Sequence, residues 1–234
     1  MGRSNLLRLR FRDPLRRGFE KVSNPRFQSL LLQFSEEPDE AKRAAIERAL
    51  WDEYGQEAAV LVLDMSGFSQ LTHRYGLVHY LSMVRRMQLT ADPIVRGCGG
   101  TPVKFEADNC YAMFPTVDDA LACSLALNAA FDKANEATPD ELDIRVAIGI
   151  DHGRILLVDG IDFFGHPVNR ASKLGEDLAR PGEVLVTVEA AAMARSLDAY
   201  VLAPHAFTAS GLHIDTYAVS SIEAHPTPGS PAAR

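Results

Sequence analysis

Three features of this chain predict an α+β fold in which helices cover a mostly antiparallel sheet. The stretch 99–115, GGTPVKFEADNCYAMFP, reads as a tight β-hairpin, because Val103, Phe105 and Ala107 alternate with Lys104, Glu106 and Asp108 before an Asp108-Asn109 turn. Val60-Leu61-Val62-Leu63 is a short continuous apolar run, the mark of a strand buried on both faces. Leu77 to Val95 sets Tyr80, Val84, Met87, Ala91 and Ile94 on one helical stripe, with Pro93 predicting a kink or restart.

The other elements follow in order. Asp39 is a candidate N-cap for a helix to Tyr54 that carries Ile46, Leu50 and Tyr54 on one face and stops at Gly55. After the buried run, Met65-Ser66-Gly67-Phe68-Ser69 turns into a helix. Thr116 caps the helix that buries Ala120, Cys123, Leu127 and Ala130. Ile144–Ile150 and Arg154–Val158 read as a second hairpin joined through Asp151-His152-Gly153. Gly160–Leu174 reads as a loop into a helix that carries Asp162, Asn169 and Lys173, the last two four apart and therefore on one face. Glu183–Val188 is a strand, Ala190–Arg195 a helix, and Tyr200–Ala203 and Ile214–Val219 are short closing strands. The sequence of strand, helix, helix, hairpin, helix, hairpin, helix, strand is what defines the fold class.

With 234 residues, 47% of them hydrophobic, the chain holds one sizeable core plus an extension. It has no apolar run long enough to cross a bilayer, and Met1–Arg10 lacks the apolar segment of a secretory signal, so a cytoplasmic protein is expected. Cys98, Cys110 and Cys123 are odd in number and lack CxxC spacing, which predicts reduced thiols. A net charge of −7 argues against nucleic-acid binding, which needs many cationic phosphate contacts. The first 20 residues depart from this balance. Six arginines are interleaved with Leu and Phe, giving a solvated arm with a capacity for weak membrane or partner association. The seven histidines, His152 and His166 among them, show no helical metal-ligand spacing and read as surface or loop residues.

Chemistry concentrates at two turns. Asp64 ends the buried run, and the N–H groups of Gly67, Phe68 and Ser69 at the following helix start suit phosphate oxygens. Asp108 sits at the hairpin tip, on the same side as Lys104. A hairpin built for stability alone has little use for that combination.

Five segments now acquire a common meaning: LDMSGF at 63–68, GGTPVKFEADNCYAMF at 99–114, IGIDHG at 148–153, DFFGHPVNRASKL at 162–174 and GEVLVT at 182–187. In this order they resemble the catalytic domain of class III nucleotide cyclases, the adenylyl and guanylyl cyclases, from roughly Ala58 to Ser221. The resemblance implies a ferredoxin-like catalytic domain at 58–221, preceded by a basic arm and helix at 1–57 and followed by a disordered tail at 222–234. It also implies a homodimer with two composite sites between head-to-tail domains. Asp64, the Met65 carbonyl and Asp108 would bind two divalent ions, Mg²⁺ or Mn²⁺. Ala107 stands where the family commonly has glycine, a change expected to do little harm. Lys104 and Asp162 match the pair that reads the purine, and an aspartate that accepts from adenine's exocyclic amine favours ATP over GTP. Asn169 would orient the ribose.

Lys173 stands where the family usually has an arginine on the α-phosphoryl group, so the charge is kept without the planar fork, and a slow enzyme is expected. Ala209-Ser210-Gly211 lacks the lysine that holds the triphosphate in many members; Arg145, Arg154 and Arg170 are the candidate replacements. The implied activity is adenylate cyclase, converting ATP to 3′,5′-cyclic AMP and pyrophosphate. The alternatives are a catalytically degenerate module that binds nucleotide or dimerises, and a cyclase using another nucleotide such as GTP.

Overall fold

The computed structural model of the protein describes residues 24–209 and 212–221. The arm at 1–23, Ser210, Gly211 and the tail at 222–234 lie outside the described residues, as do the side chains of residues 68–71, 208, 209, 212 and 213. Helices α1 (Pro25–Glu36) and α2 (Glu40–Tyr54) lead into β1 (Gly55–Met65), followed by α3 (Phe68–Tyr75), α4 (Leu77–Gly97), β2 (Thr101–Glu106), β3 (Asn109–Phe114) and α5 (Val117–Asn135). Then come β4 (Val146–Val158), β5 (Asp162–Phe164), α6 (His166–Ser172), a π-helical turn (Lys173–Leu178), β6 (Val184–Thr187), α7 (Val188–Ala191), β7 (Tyr200–Ala209) and β8 (Leu212–Ser221).

The sheet runs β2-β3-β1-β4-β6-β8-β7, with β5 added on β4. Only β4 and β6 pair in parallel among the described strands, so the mostly antiparallel expectation holds. β1 is central and covered on both sides, which is why its sequence is apolar without alternation. Ala59, Leu61, Leu63 and Met65 face Met83, Met87 and Ala91 of α4 and Leu121 and Leu127 of α5. Ala58, Val60 and Val62 face Phe163 of β5 and Val168 and Ala171 of α6. Each large apolar side chain so buried contributes about 1.5–3 kcal/mol.

Local signals behave as their chemistry requires at several ends. Asp39 caps α2 by accepting from the Lys42 N–H, and Thr116 caps α5 through Asp119 N–H. Asn24-Pro25 starts α1, which buries Phe27 and Leu30 against Leu50, Tyr54 and Val158. Pro93 lies inside α4 without ending it. No described helix is long and apolar enough to cross a membrane. All three cysteines are free, two of them buried.

Several expectations need correction. β4 is one strand paired along the whole of β1, from Gly55↔Leu156 to Met65↔Val146, so no hairpin breaks it at Asp151. The hairpin partner of its second half is β5, which carries Asp162, so that residue lies on a strand and not on the helix of Asn169. In the β2–β3 hairpin Glu106 pairs with Asn109, so the tip is Ala107-Asp108. A register shift between Pro102 and Lys104 also breaks the alternation, because a bulge lets two consecutive residues share a face. Val103 therefore packs with Phe163, while Phe105 packs on the α4 side. Finally, β7 and β8 are a longer hairpin than the two short strands foreseen, and α7 ends at Ala191.

Candidate active site

Asp64 and Asp108 meet where β1 ends. Asp64 lies opposite Asn109, and Met65 N–H donates to the Asp108 carbonyl at 3.2 Å, so the strand end is stitched to the hairpin tip. The Asp64 carboxyl is pushed up to about 7, first by burial and then by the charges of Asp108, Glu176 and Asp177. Burial also raises Asp108, against a hydrogen bond from its own backbone. Among the described residues no cation pairs with either carboxylate. Next to them Asn109 Oδ1 is buried without a hydrogen-bond partner. Oxygen-rich, anionic and uncompensated, this corner fits a hard divalent cation. No group of three or more His, Cys, Asp or Glu among the described residues forms a closed cage. Two carboxylates and a carbonyl suit an ion that keeps phosphate and water ligands.

Beyond Met65, Gly67 takes a left-handed φ of 79° and starts α3, so the N–H groups of Phe68 and Ser69 fall in its first turn. Arg145 is at the same end of the sheet, its carbonyl accepting from Ser66 N–H at 2.9 Å.

Lys104 and Asp162 come together, 2.9 Å apart and mostly buried. Asp162 Oδ1 also accepts from Phe163 N–H at 2.9 Å, so Oδ2 takes part in neither contact. A second carboxylate, Glu106, lies 3.4 Å from Lys104 Nζ. The face of Tyr111 sits 4.8 Å away.

Asn169 is exposed and lines a groove of about 600 Å³ with Trp51, His152, Arg154, Phe164 and His166. His152 stands opposite Ala59 and Arg154 opposite Glu57, whereas Asp64 is five residues beyond Ala59 along β1. At ~3.3 Å per residue that separates the groove from the acids by roughly 17 Å along the strand. Within one chain Asp64 and Asp108 therefore stand at one end of β1 and the Asn169 groove at the other, while Lys104 and the π-helical turn lie nearer the acids. Lys173 opens the π-helical turn and is ion-paired with Asp177.

Of the three candidate arginines, Arg170 is already committed. Its guanidinium grips the fully buried Asp151 through Nε at 2.6 Å and Nη2 at 3.0 Å, and Thr187 Oγ1 donates to the same carboxylate at 2.6 Å. Burial raises Asp151, while the donors from Thr187 and Arg170 oppose that. Arg154 stacks on Trp51 at 4.4 Å. The sequence reading overlooked Trp51, His152 and His166 as groove walls. The one signal for Trp51 was its being the chain's sole tryptophan, on a helix whose apolar face was already assigned.

The sequence family described as the Adenylate and Guanylate cyclase catalytic domain matches residues 52–220. A Rhizobium meliloti (strain 1021) protein named "Putative adenylate cyclase 3" is 31% identical over 130 residues, 56% of this chain and 22% of its own length. An uncharacterized protein of Mycobacterium tuberculosis (strain ATCC 25618 / H37Rv) is 27% identical over 126 residues, 54% of this chain and 31% of its own. The match thus spans under a third of either relative. The adenylate/guanylate cyclase/hydrolase from Silicibacter pomeroyi superposes with a TM-score of 0.58 at 29% identity, covering 70% of this chain and 96% of that one. The adenylyl cyclase CyaB from P. aeruginosa gives 0.58 at 21%, covering 71% and 96%. The catalytic core of a rhodopsin-guanylyl cyclase with converted specificity, in complex with ATPαS, gives 0.61 at 18%, covering 71% and 98%. The last two speak for the fold alone.

Proposed function

The chain belongs to the Adenylate and Guanylate cyclase catalytic domain family, and from that premise we propose that it converts ATP to 3′,5′-cyclic AMP and pyrophosphate at sites shared between two copies. The observation that carries the reading is the pair Asp64 and Asp108, drawn to one corner with no described counter-cation. Asp64, the Met65 carbonyl and Asp108 would hold two divalent ions, Mg²⁺ or Mn²⁺. Bound there, the ions would lower the pKa of the ribose 3′-hydroxyl, polarise the α-phosphate and neutralise the departing pyrophosphate.

The N–H groups of Gly67, Phe68 and Ser69 receive phosphate oxygens. Lys104 donates to a purine ring nitrogen, and Asp162 accepts from the exocyclic amine. Asn169 and Lys173 of the second copy orient the ribose and steady charge on the α-phosphoryl group. Arg145 is best situated of the three arginines to replace the missing triphosphate lysine, since Arg170 is spent on Asp151. Charge without a fork at Lys173 makes turnover slow. A nucleotide-binding or dimerising module without catalysis is the second reading, favoured by the Lys173–Asp177 pairing.

Purified protein incubated with ATP or GTP and Mn²⁺ or Mg²⁺ tests this directly. Cyclic AMP above an Asp108→Ala control is expected. No cyclic nucleotide from either substrate selects the module, and cyclic GMP as the main product overturns the roles given to Lys104 and Asp162.

A further inference from the structure

Tyr111 is central to three elements that the reaction needs in register. Its ring lies under Lys104 Nζ at 4.8 Å and meets Phe163, next to Asp162, edge-on at 6.4 Å. Its hydroxyl donates to Glu176 Oε1 at 2.9 Å and accepts from Asn109 Nδ2 at 3.4 Å. Glu176 belongs to the π-helical turn that Lys173 opens. One half-buried side chain thus touches the hairpin, β5 and the segment bearing the candidate transition-state cation.

The contacts of Lys104 differ in what happens to them when a base arrives. Asp162, 2.9 Å away through Oδ1, has Oδ2 left to accept from an exocyclic amine, and a carboxylate shared with the base holds Lys104 less tightly. Glu106 is half exposed, and a solvated pair of that kind holds little. The Tyr111 face is the contact that base binding does not consume. A lysine on a four-carbon stem needs such a restraint to present its ammonium at one ring nitrogen.

We propose that Tyr111 is a positioning residue for purine selection, holding Lys104 on its ring and tying that ring through Glu176 to the segment that carries Lys173. The proposal rests on the cyclase reading and deepens it. It assigns two separable duties, selection to the ring and registration of Lys173 to the hydroxyl. A merely structural tyrosine would lose both together.

The test uses the full chain with Mn²⁺, measuring kcat and KM for ATP and for GTP in wild type, Tyr111→Leu and Tyr111→Phe. Displacement of a fluorescent ATP analogue by each nucleotide is measured in the same three proteins. Tyr111→Leu is expected to shrink the preference between the purines about tenfold, mainly through KM. Tyr111→Phe should keep that preference within about twofold while kcat falls several-fold. Unchanged preference in Tyr111→Leu overturns the proposal, and so does an equal loss of preference in both variants. If Tyr111→Leu fails to fold, Tyr111→Met replaces it under the same criterion. A wild type that binds but does not turn over sinks the cyclase reading, and the displacement ratios then decide the Tyr111 question alone. A wild type that binds neither nucleotide overturns both.

Discussion

Asp64 carries an electrostatic load when no cation is present. Its carboxyl, ordinarily near 3.8, sits at about 7 through burial and three neighbouring acids. Because the folded pKa exceeds the unfolded one, the folded state binds the extra proton between those values. Ionisation therefore destabilises the fold progressively from about pH 4 to about pH 7 and by a constant amount above. A shift of that size has a ceiling of about 4 kcal/mol, and solvent screening of this partly exposed group reduces it to about 1–2 kcal/mol. Asp64→Asn should then stabilise the metal-free protein by about 1–2 kcal/mol at pH 8 and by nothing at pH 4. Urea titrations in chelator at both pH values check this, and a pH-independent gain would refute the assignment.

Ala107 is a second residue under load. Its φ of 51° at the hairpin tip is a left-handed conformation that costs a residue with a Cβ about 1 kcal/mol. A glycine at this position would take the same conformation without that cost. Ala107→Gly should raise stability by about 1 kcal/mol without altering metal dependence, as equilibrium unfolding would show.

At the scale of elements, α6 and its π-helical extension lie unusually close to the sheet. A Cβ on Gly149 of β4 would fall 2.1 Å from the Ala171 carbonyl oxygen and 2.6 Å from Gly175 N. A Cβ on Gly175 would in turn fall 2.7 Å from the Val62 carbonyl oxygen. These are backbone atoms that cannot rotate aside. Gly149→Ala should cost about 2–3 kcal/mol and displace the segment holding Asn169 and Lys173. Loss of activity out of proportion to the loss of folded protein, measured on the soluble fraction, is the expected sign; unchanged activity and stability would contradict this packing.

The same comparison of elements tells what could be read in the chain. Asp64 closing an apolar run and Lys104 beside Asp108 are local patterns, and the fold brings Asp64 and Asp108 to one corner. β4 was misread because Asp151-His152-Gly153 has the composition of a turn. What keeps it a strand is distant: Arg170 and Thr187, 19 and 36 residues away, satisfy the Asp151 carboxylate. The bulge at Val103 depends on how β2 pairs with β3, which alternation in β2 alone cannot express. α1 had its signature in Asn24-Pro25, obscured by the basic segment before it.

The whole molecule is defined by a separation. Asp64 and Asp108 occupy one end of β1 and the Asn169 groove the other, roughly 17 Å apart along the strand. The proposed chemistry needs the ribose and the ions at one α-phosphate, and within one chain continuous pairing of β1 with β4 keeps the two ends apart. In the function proposed above, two copies related by a twofold axis bring them together, each lending its acids to one site and its Asn169 to the other.

Mixing two inactive variants measures that claim most directly. Asp108→Ala and Asn169→Ala proteins should each be nearly inactive alone. Co-refolded in equal amounts, half the dimers are hybrids, and each hybrid holds one site with intact acids from one chain and an intact asparagine from the other. Recovery of about a quarter of wild-type cyclic AMP formation is the predicted result. Activity no greater than that of the separate variants, from a mixture shown to contain hybrids, would contradict a site built across two chains.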